Sequence, residues 1–224
     1  MRFSVIIPTI NEEENIETQI QYIKALNGDV EIIVVDGGSS DNTVRLALRN
    51  RVRVLYSKPG RGTQLRVGAS EASNEILLFL HADSRLPVDA FQKIRQFFSD
   101  SSCLMATFRI SFSPTYLLLR VVSLFTKFDT LITRFGDQCI VTRRWFYDHI
   151  GGFPEWRLLE DVYLLEKARE YTTIRSMPSM VVSSSRRFKR NGVFRQLVWN
   201  AWIILLYLFG WSPDKLAEMY RREL

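Results

Sequence analysis

An uninterrupted apolar run at residues 76–80, Ile-Leu-Leu-Phe-Leu, constrains the fold of this chain more than any other stretch. Five apolar residues in succession are too few to indicate a helix, and they have the length of a strand that is buried on both faces, as parallel strands are. The run ends at the polar segment His81-Ala82-Asp83. Because open α/β sheets bind ligands in the crevice beyond the carboxyl ends of their strands, Asp83 is the first candidate functional residue.

A second strand-like run, residues 30–35, also ends in an acidic, glycine-rich segment, which extends from Asp36 to Asp41. A single aspartate after a strand commonly caps a turn or a helix, and Asp41 can equally cap the helix that opens at Asn42. Two acidic strand ends in one chain favour a functional interpretation. We therefore expect Asp36 and Asp83 to face one crevice.

Strand-like and helical segments alternate through the first half of the chain, which predicts a mostly parallel sheet covered by helices on both sides. The predicted fold class is therefore α/β, of the Rossmann-like nucleotide-binding type. Predicted strands are residues 3–7, 30–35, 52–56 and 76–80. Predicted helices are residues 11–26, 42–50, 63–73 and 88–98, the last with Pro87 as its first helical residue.

The pattern changes at Cys103, after which apolar and polar residues alternate up to Phe112 and predict a half-buried, antiparallel strand. Residues 116–132 then form a strongly apolar helical stretch. Its charged residues Arg120, Lys127 and Asp129 argue against a membrane span and favour burial or an interface. A strand at 138–142, helices at 145–150 and 160–171, and an extended segment at 173–183 complete the predicted domain.

The carboxyl-terminal tail, residues 186–224, combines a basic cluster at 186–190 with an apolar, Trp-rich helix at 193–209 and a short amphipathic helix at 213–222. This combination can lie on an anionic membrane, because Trp favours the interface and basic residues favour the headgroups. The apolar helix can instead pack on the domain or in a homodimer, or close the active site with Arg186 or Arg187 touching a diphosphate. Its apolar run at 201–209 is too short to span a bilayer.

The formal net charge of +6 favours anionic partners, a class that includes nucleotides, membrane surfaces and nucleic acids. Nucleic acid is not expected as a partner, because the basic residues concentrate in the tail beside apolar ones. The sequence also shows no recognisable platform on which single-stranded bases would stack. Cys103 and Cys139 lack the spacing of a zinc site or a disulfide scaffold, which indicates a reducing compartment. The first apolar run has the wrong length for a signal peptide, so we expect a cytoplasmic protein, free or peripheral on the inner face of the cell membrane.

Four stretches in order along the chain carry a family resemblance: residues 5–16 (VIIPTINEEENI), 34–43 (VVDGGSSDNT), 80–83 (LHAD) and 159–161 (LED). With them the sequence resembles the family 2 glycosyltransferases of the GT-A fold. It looks closest to small bacterial enzymes with His-Ala-Asp in place of Asp-x-Asp, Gly-Asp-Gln at 136–138 and two arginines at 186–187. The resemblance implies a glycosyltransferase domain over residues 1–185, with a nucleotide-binding half at 1–100 and an acceptor half at 101–185.

The resemblance implies transfer of a sugar from a nucleotide-sugar to an acceptor hydroxyl. Asp83 is expected to bind a divalent cation, Mn or Mg, that bridges the diphosphate of the donor. His81 stands where the wider family has Asp, and imidazole is a tolerable ligand for Mn and a poor one for Mg. Arg61 is expected to meet phosphate, whereas Lys58 fits a solvated turn. The residues expected at the donor site are Pro8, Thr9, Asn11, Glu12, Asp36, Gly38, Arg61, Gln64, His81, Ala82 and Asp83.

The resemblance selects Asp161 as the general base of an inverting, single-displacement transfer. Glu160 beside it cannot point the same way on a helix, so one of the two is expected to be structural. Alternatively, both serve only to place negative charge at the amino end of that helix, where the helix dipole favours it. Asp137 and Gln138 can border the acceptor, although turn chemistry explains Gly-Asp equally well. The acceptor is not identified by the resemblance, and a lipid-linked molecule is one candidate.

Two other functions stay open. A nucleotidyltransferase also uses a Rossmann-like half and acidic metal ligands, but it usually needs a glycine- and lysine-rich loop directly after the first strand. The segment Pro8-Thr9-Ile10-Asn11 has no such loop. A nucleotide-binding or membrane-associated scaffold would have kept the fold and lost catalysis, and the presence of both Asp83 and Asp161 argues against it.

Overall fold

In a computed structural model, which describes residues 1–26, 28–130 and 136–222, the chain folds around one mixed β-sheet. The order of strands in the sheet is β3-β2-β1-β4-β7-β6-β8-β5, and the predicted α/β fold class is confirmed. The strands are Phe3–Thr9 (β1), Val30–Asp36 (β2), Arg53–Tyr56 (β3), Ile76–Phe79 (β4), Ser84–Arg85 (β5), Met105–Ser113 (β6), Ile140–Arg143 (β7) and Arg175–Ser184 (β8).

Helices connect most of these strands and form the carboxyl-terminal segment. They are Ile16–Ala25 (α1), Thr43–Arg49 (α2), Arg61–Glu71 (α3), Ala90–Phe98 (α4), Leu117–Phe125 (α5), Arg144–His149 (α6), Glu160–Arg169 (α7), Arg186–Asn191 (α8), Val193–Leu208 (α9) and Pro213–Arg222 (α10). A 3-10 turn at Gly136–Gln138 precedes β7.

The order of the strands reverses next to β1. The chain adds β2 and β3 on one side of β1, then returns to place β4 on the other side, and all four strands are parallel. Val5 of β1 is in register with Ile32 of β2 and with Leu78 of β4. A switch of this kind opens a crevice at the carboxyl ends of the strands, where connecting loops leave in opposite directions.

Both faces of the sheet are buried, because alternate residues of β1 enter two separate apolar clusters. Val5 packs in a cluster with Ile20 of α1, while Ile6 packs in the opposite cluster with Leu65 of α3. Gly68 lets α3 lie close to the sheet, since a Cβ there would come within 2.3 Å of the Ile6 side chain. The near-continuous apolar run of β1 follows from this two-sided burial.

Two helices begin later than the sequence predicts. Residues 12–15 form a turn before α1, in which the carbonyl of Glu12 accepts hydrogen bonds from the N–H groups of Asn15 and Ile16. Pro87 is not the first residue of α4, because its carbonyl accepts a hydrogen bond from Ala90 in the turn that precedes the helix. The predicted helix stop at Asn27 lies outside the described residues.

The prediction for β6 as a half-buried, antiparallel strand is confirmed in part. This strand is antiparallel to β7 but parallel to β8, so it lies inside the sheet. Its first four residues, Met-Ala-Thr-Phe, are buried on both faces of the sheet. The alternation predicted one solvent-exposed face, and this does not hold for these four residues. The two-residue β5 carries no periodicity and was not predicted.

The predicted helix at 116–132 is shorter in the structure, where α5 ends at Phe125, and residues 131 and 132 lie outside the described residues. The sequence favours burial or an interface for this stretch. Burial is wrong for α5, because Leu119 is its buried residue while most of its other apolar side chains are exposed, and the interface stays a prediction. Helix α9 packs beside it and exposes a further set. We name these exposed side chains the α5–α9 surface: Leu117, Leu118, Val121, Leu124, Phe125, Phe128, Phe194, Val198, Trp202, Leu205, Leu208 and Phe209.

No helix among the described residues has the length and apolar character needed to cross a membrane.

Candidate active site

A cleft of about 670 Å³ opens at the carboxyl edge of the sheet, where β1 and β4 end and α3 begins. Its other wall comes from the end of β8 and from helices of the tail. Most of the residues that the sequence places at a donor site lie on its surface. They are Pro8, Thr9, Glu12, Arg61, Gln64, His81, Ala82 and Asp83.

Asp36, Asn11 and Gly38 do not line this cleft. The Asp36 side chain is 2% exposed, and one of its oxygens accepts hydrogen bonds of 2.9 Å from the N–H groups of both Gly38 and Ser39. Asn11 has a φ of 53° and accepts a hydrogen bond from Ser40. These residues fold the loop after β2 against the loop after β1, so they shape the cleft without facing it.

Gln64 ties the two strand ends together from below the cleft. Its side-chain amide donates hydrogen bonds to the carbonyls of Thr9, at 2.9 Å, and Val35, at 2.8 Å. The side chain is buried, and both donors of its NH₂ group are used. Asp41 likewise serves local structure, since it accepts hydrogen bonds from the N–H and the hydroxyl of Thr43 at the start of α2.

His81 and Asp137 form a pair in the cleft, with 2.8 Å between His81 Nδ1 and Asp137 Oδ1. Burial raises the pKa of Asp137, but His81, Arg61 and Arg187 oppose burial and hold that pKa below its usual range. Asp137 is therefore ionised at neutral pH and fixes the orientation of the imidazole. Gln138 points elsewhere, because it is fully buried and accepts a hydrogen bond of 3.2 Å from Thr107.

Arg61 and Glu160 form an ion pair across the base of the cleft, from the first residue of α3 to the first residue of α7. Glu160 is fully buried, and burial raises its pKa while Arg61 lowers it. Burial likewise works against the charge of Arg61, but the carboxylates around it raise the pKa of this residue. Among the described residues, Arg61 is the side chain that hydrogen-bonds to the Glu160 carboxylate, and the second carboxylate oxygen has no hydrogen-bond partner there.

Asp161 lies beside this pair and is 6% exposed. One carboxylate oxygen accepts a hydrogen bond of 2.5 Å from the N–H of Gly136, and the other accepts one of 2.9 Å from Val162. Asp161 does not line the cleft, whereas Asp137, on the turn that Asp161 holds, does.

Arg186 crosses the mouth of the cleft from the first turn of α8. Its guanidinium is 2.7 Å from Glu12 and 3.7 Å from Asp83. Partial burial opposes its charge, but Glu12 and Asp83 raise the pKa of Arg186. The cationic group that lies beside Asp83 in this structure is therefore the Arg186 guanidinium.

The described residues contain no cluster of three or more His, Cys, Asp or Glu side chains that could enclose a metal ion. Asp83 and His81 are close in sequence and share the cleft wall, but Asp137 occupies Nδ1 of His81. A hard cation such as Mg²⁺ is commonly held by one or two carboxylates together with substrate phosphates and water. The residues present therefore fit a cation that a diphosphate carries in, and they do not fit a closed protein cage.

Sequence analysis missed several residues of the cleft, namely Arg157, Ser183, Ser184, Asn200 and Arg221. Arg157 comes from the loop before α7, and Arg221 comes from the last turn of α10. A single arginine in a loop or on an amphipathic helix carries no local signal, because the same pattern is expected of a solvated surface. Their contribution appears only when the tail is folded back onto the domain.

A model of the family described as Glycosyl transferase family 2 matches residues 4–148 of this chain. Among curated proteins, the chain is 36% identical over 102 residues to a dolichol-phosphate mannosyltransferase from Pyrococcus furiosus, which is 42% of this chain and 29% of that protein. It is 35% identical over 91 residues to a glucosyl-3-phosphoglycerate synthase from Mycobacterium tuberculosis, which is 36% of this chain and 28% of that protein. The chain thus matches less than a third of the length of either relative.

Solved structures share the fold at low sequence identity. A mannosyltransferase from Pyrobaculum calidifontis, solved with GDP-Man and Mn²⁺, superposes with a TM-score of 0.73 at 18% identity, covering 96% of this chain and 66% of that one. The TarS protein of S. aureus superposes with a TM-score of 0.69 at 19% identity, covering 88% of this chain and 39% of that one. These likenesses confirm the fold.

The Arg61–Glu160 pair gives a stability prediction. The substitution Arg61→Met leaves a buried carboxylate without its cation, and we expect the free energy of unfolding to fall by about 3 kcal/mol at neutral pH. Urea unfolding followed by circular dichroism measures this loss. Without Arg61, burial raises the Glu160 pKa further above its unfolded value, so the loss should grow as the pH rises above the usual range of a glutamate.

The double variant Arg61→Met, Glu160→Met is the matched control, because it removes both charges at similar volume. It should recover most of the lost stability, since apolar replacement of a complete buried pair is often neutral. If the double variant instead lost as much stability as Arg61→Met, or more, the loss would not come from the unpaired Glu160 carboxylate. Arg61 would then not stabilise the fold through Glu160.

Proposed function

Because the chain belongs to glycosyl transferase family 2, we propose that it transfers a sugar from a nucleotide-sugar donor to an acceptor hydroxyl. The observation that carries the proposal is the cleft at the carboxyl edge of the sheet, which has Asp83 and several arginines on its walls. Its volume of about 670 Å³ is in the range of sites for ligands of cofactor size. The chain is also proposed to belong to the subgroup that has His-Ala-Asp in place of Asp-x-Asp. Its residues 1–100 would form the nucleotide-binding half, and residues 101–185 the acceptor half.

The donor lies in this proposal between the loop after β1 and the arginines opposite. Pro8 and Thr9 form the wall against which the nucleoside packs. Glu12 is partnered by Arg186, whose guanidinium can move to the diphosphate because only 3.7 Å separate it from Asp83. Guanidinium groups suit this role, since they bind phosphate oxygens through paired hydrogen bonds.

A divalent cation, Mn or Mg, would be held by Asp83 with the donor phosphates, and His81 would orient the site or bind weakly through its free ring nitrogen. When bound, such a cation neutralises charge that develops on the departing diphosphate. The complex of the Pyrobaculum mannosyltransferase with GDP-Man and Mn²⁺ supports this part of the proposal. Asp137 keeps the His81 ring in one orientation, because a carboxylate bound to one ring nitrogen fixes the direction of the other.

Transfer proceeds in this proposal as one displacement with inversion. The acceptor oxygen bonds to the anomeric carbon, the bond from that carbon to the diphosphate oxygen breaks, and the nucleoside diphosphate leaves with the bonding electrons. Asp161 takes the hydroxyl proton as general base. Its two backbone hydrogen bonds fix the orientation of the carboxylate, and the acceptor must reach a side chain that is 6% exposed.

The base assignment is tested by comparing Asp161→Asn with Asp137→Asn, because the two carboxylates lie on either side of one turn. We expect Asp161→Asn to lower kcat by about 10²- to 10⁴-fold, the usual contribution of a general base, with nucleotide affinity nearly unchanged. Asp137→Asn should retain a larger part of the activity. If Asp137→Asn removed turnover while Asp161→Asn retained it, the base would be Asp137, which does line the cleft.

The donor site is tested by calorimetric titration with nucleoside diphosphates and sugar nucleotides in the presence of Mn²⁺, Mg²⁺ or EDTA. One nucleotide should bind in a metal-dependent way. The substitution Asp83→Asn should weaken that binding by at least about tenfold, or ~1.4 kcal/mol, in the presence of metal and little in EDTA. Binding that ignores both metal and Asp83 would remove Asp83 as a ligand, and no binding at all would favour a scaffold that has lost catalysis.

The tail favours a second element of function, contact with an anionic membrane surface, which suits a lipid-linked acceptor. The α5–α9 surface supports it, because the two helices and the residues just after them expose a dozen large apolar side chains. The segments 114–128 and 185–213 contain no Asp or Glu and seven Lys or Arg residues. Apolar side chains beside basic ones match the acyl boundary and the headgroups of such a membrane. The protein would then act at the inner face of the cell membrane.

Sedimentation with vesicles tests this contact. The exposed substitutions Phe125→Glu and Trp202→Glu should together weaken association with phosphatidylglycerol vesicles by at least about tenfold, because each adds a repelled charge and removes an apolar side chain. Val88→Glu is the matched control, since Val88 is also exposed and lies before α4. Vesicle binding unaffected by the double variant would exclude the α5–α9 surface, and loss of a dimer in its place would make this surface a homodimer interface.

A further inference from the structure

A second cavity of about 740 Å³ adjoins the cleft, between the loop before α7 and helix α10. Four residues line both cavities, and every one of them is an arginine. These four, which we name the arginine junction, are Arg61, Arg157, Arg187 and Arg221. They come from four separate elements of the chain, so the cluster is a product of the tertiary fold.

The members of the arginine junction differ in how far their charge is already balanced. Arg61 is neutralised by Glu160. Arg157 and Arg221 are exposed and have neither an ion pair nor a side-chain hydrogen bond to any residue that the structure describes. Arg187 contacts a neutral group, the Tyr220 hydroxyl, at 3.2 Å. Three guanidinium groups therefore meet at the junction without a carboxylate bound to them.

A buried polar network fixes one side of the junction. Gln196, which is 1% exposed, donates hydrogen bonds to Asn200 at 2.7 Å and to Tyr220 at 3.1 Å. The Tyr220 hydroxyl in turn lies 3.1 Å from Asn200 and 3.2 Å from Arg187. The tyrosine that contacts Arg187 is thus held by α9, which gives the exposed Arg187 side chain a fixed partner.

The packing of α10 fixes the other side. Leu216 is fully buried against Ile203 of α9, which anchors α10 and carries Arg221 to the mouth of the cleft. The second cavity also has acidic residues, Glu155, Asp214 and Glu218, but none of these lines the cleft. An anionic ligand is therefore favoured where the two cavities meet, because the acidic residues repel it further inside the second cavity.

The donor alone does not explain three further arginines. In the proposed function, the diphosphate is met by Arg186 and by the divalent cation at Asp83. We propose that Arg157, Arg187 and Arg221 bind a phosphate group of the acceptor, so that the donor occupies the cleft and the acceptor enters through the second cavity. This inference rests on the proposed function for its geometry. Guanidinium groups present paired donors that match phosphate oxygens, and several of them can surround one tetrahedral anion.

The test is calorimetric titration of inorganic phosphate into the full chain, first alone and then saturated with whichever nucleoside diphosphate binds together with Mg²⁺. We expect phosphate to bind in both states. The double variant Arg157→Gln, Arg221→Gln should weaken phosphate binding by at least about tenfold while the affinity for the nucleoside diphosphate stays within about twofold. Lys215→Gln is the matched control, because Lys215 is an exposed cation on α10 that lines neither cavity.

The outcomes separate this inference from the proposed function. Phosphate that binds only the nucleotide-free protein and competes with the nucleotide would assign the junction to the donor and overturn the proposal. Absence of phosphate binding to the wild-type chain, or an equal loss in Lys215→Gln, would also overturn it. Failure of every nucleotide to bind while phosphate still binds at the junction would reject the donor site and leave the anion site standing.

A second arm identifies the source of the phosphate. Glycerol 3-phosphate represents a soluble acceptor, and farnesyl phosphate in detergent represents a lipid-linked one. Competition by either with inorganic phosphate, lost in the double variant, supports the anion site, and the stronger competitor names the class of acceptor. Competition that persists unchanged in the double variant would show that these arginines do not hold the phosphate.

Discussion

The contact between the amino ends of α3 and α7 holds the candidate site together. Arg61 and Glu160 join them by a buried ion pair, and the N–H of Gly62 donates a hydrogen bond of 3.1 Å to the carbonyl of Trp156. A Cβ at Gly62 would lie 2.1 Å from the carbonyl oxygen of Pro154, so only glycine permits this approach. Because α3 leads into the central strand and α7 carries Asp161, this contact sets the spacing between the two halves of the site.

Acidic residues at the strand ends fall into two groups with different tasks. Asp36 and Asp41 accept hydrogen bonds from nearby N–H groups and fix the loop after β2. Asp83 and Asp137 face the cleft, and their partners there are the side chains of Arg186 and His81. A carboxylate at the cleft surface whose partner is another side chain can exchange that partner for a ligand. Of these four residues, Asp83 and Asp137 are therefore the ones that a ligand in the cleft can reach.

The tail is part of the site as well as a candidate membrane contact. Helix α8 places Arg186 and Arg187 at the cleft, and α10 returns to add Arg221. Helix α9, which lies between α8 and α10 in the chain, contributes apolar side chains to the α5–α9 surface, so the tail takes part in both the surface and the cleft. A transferase with a lipid-linked acceptor would benefit from this connection, because its tail would contact both the headgroup region and the cleft.

The sequence by itself determined the local elements and the positions of the strand ends. The runs at β1, β2 and β4 are apolar on both faces because they lie inside a sheet, and the polar residues after them, such as Asp83, necessarily fall at its carboxyl edge. Periodicity could not decide which side chains meet across the fold. Arg157 and Arg221 have ordinary surface surroundings in sequence, and their convergence depends on how α10 packs on α9. Likewise, the exposure of α5 and the removal of Asp36 from the cleft surface follow from contacts between distant segments, which no short stretch of the chain encodes.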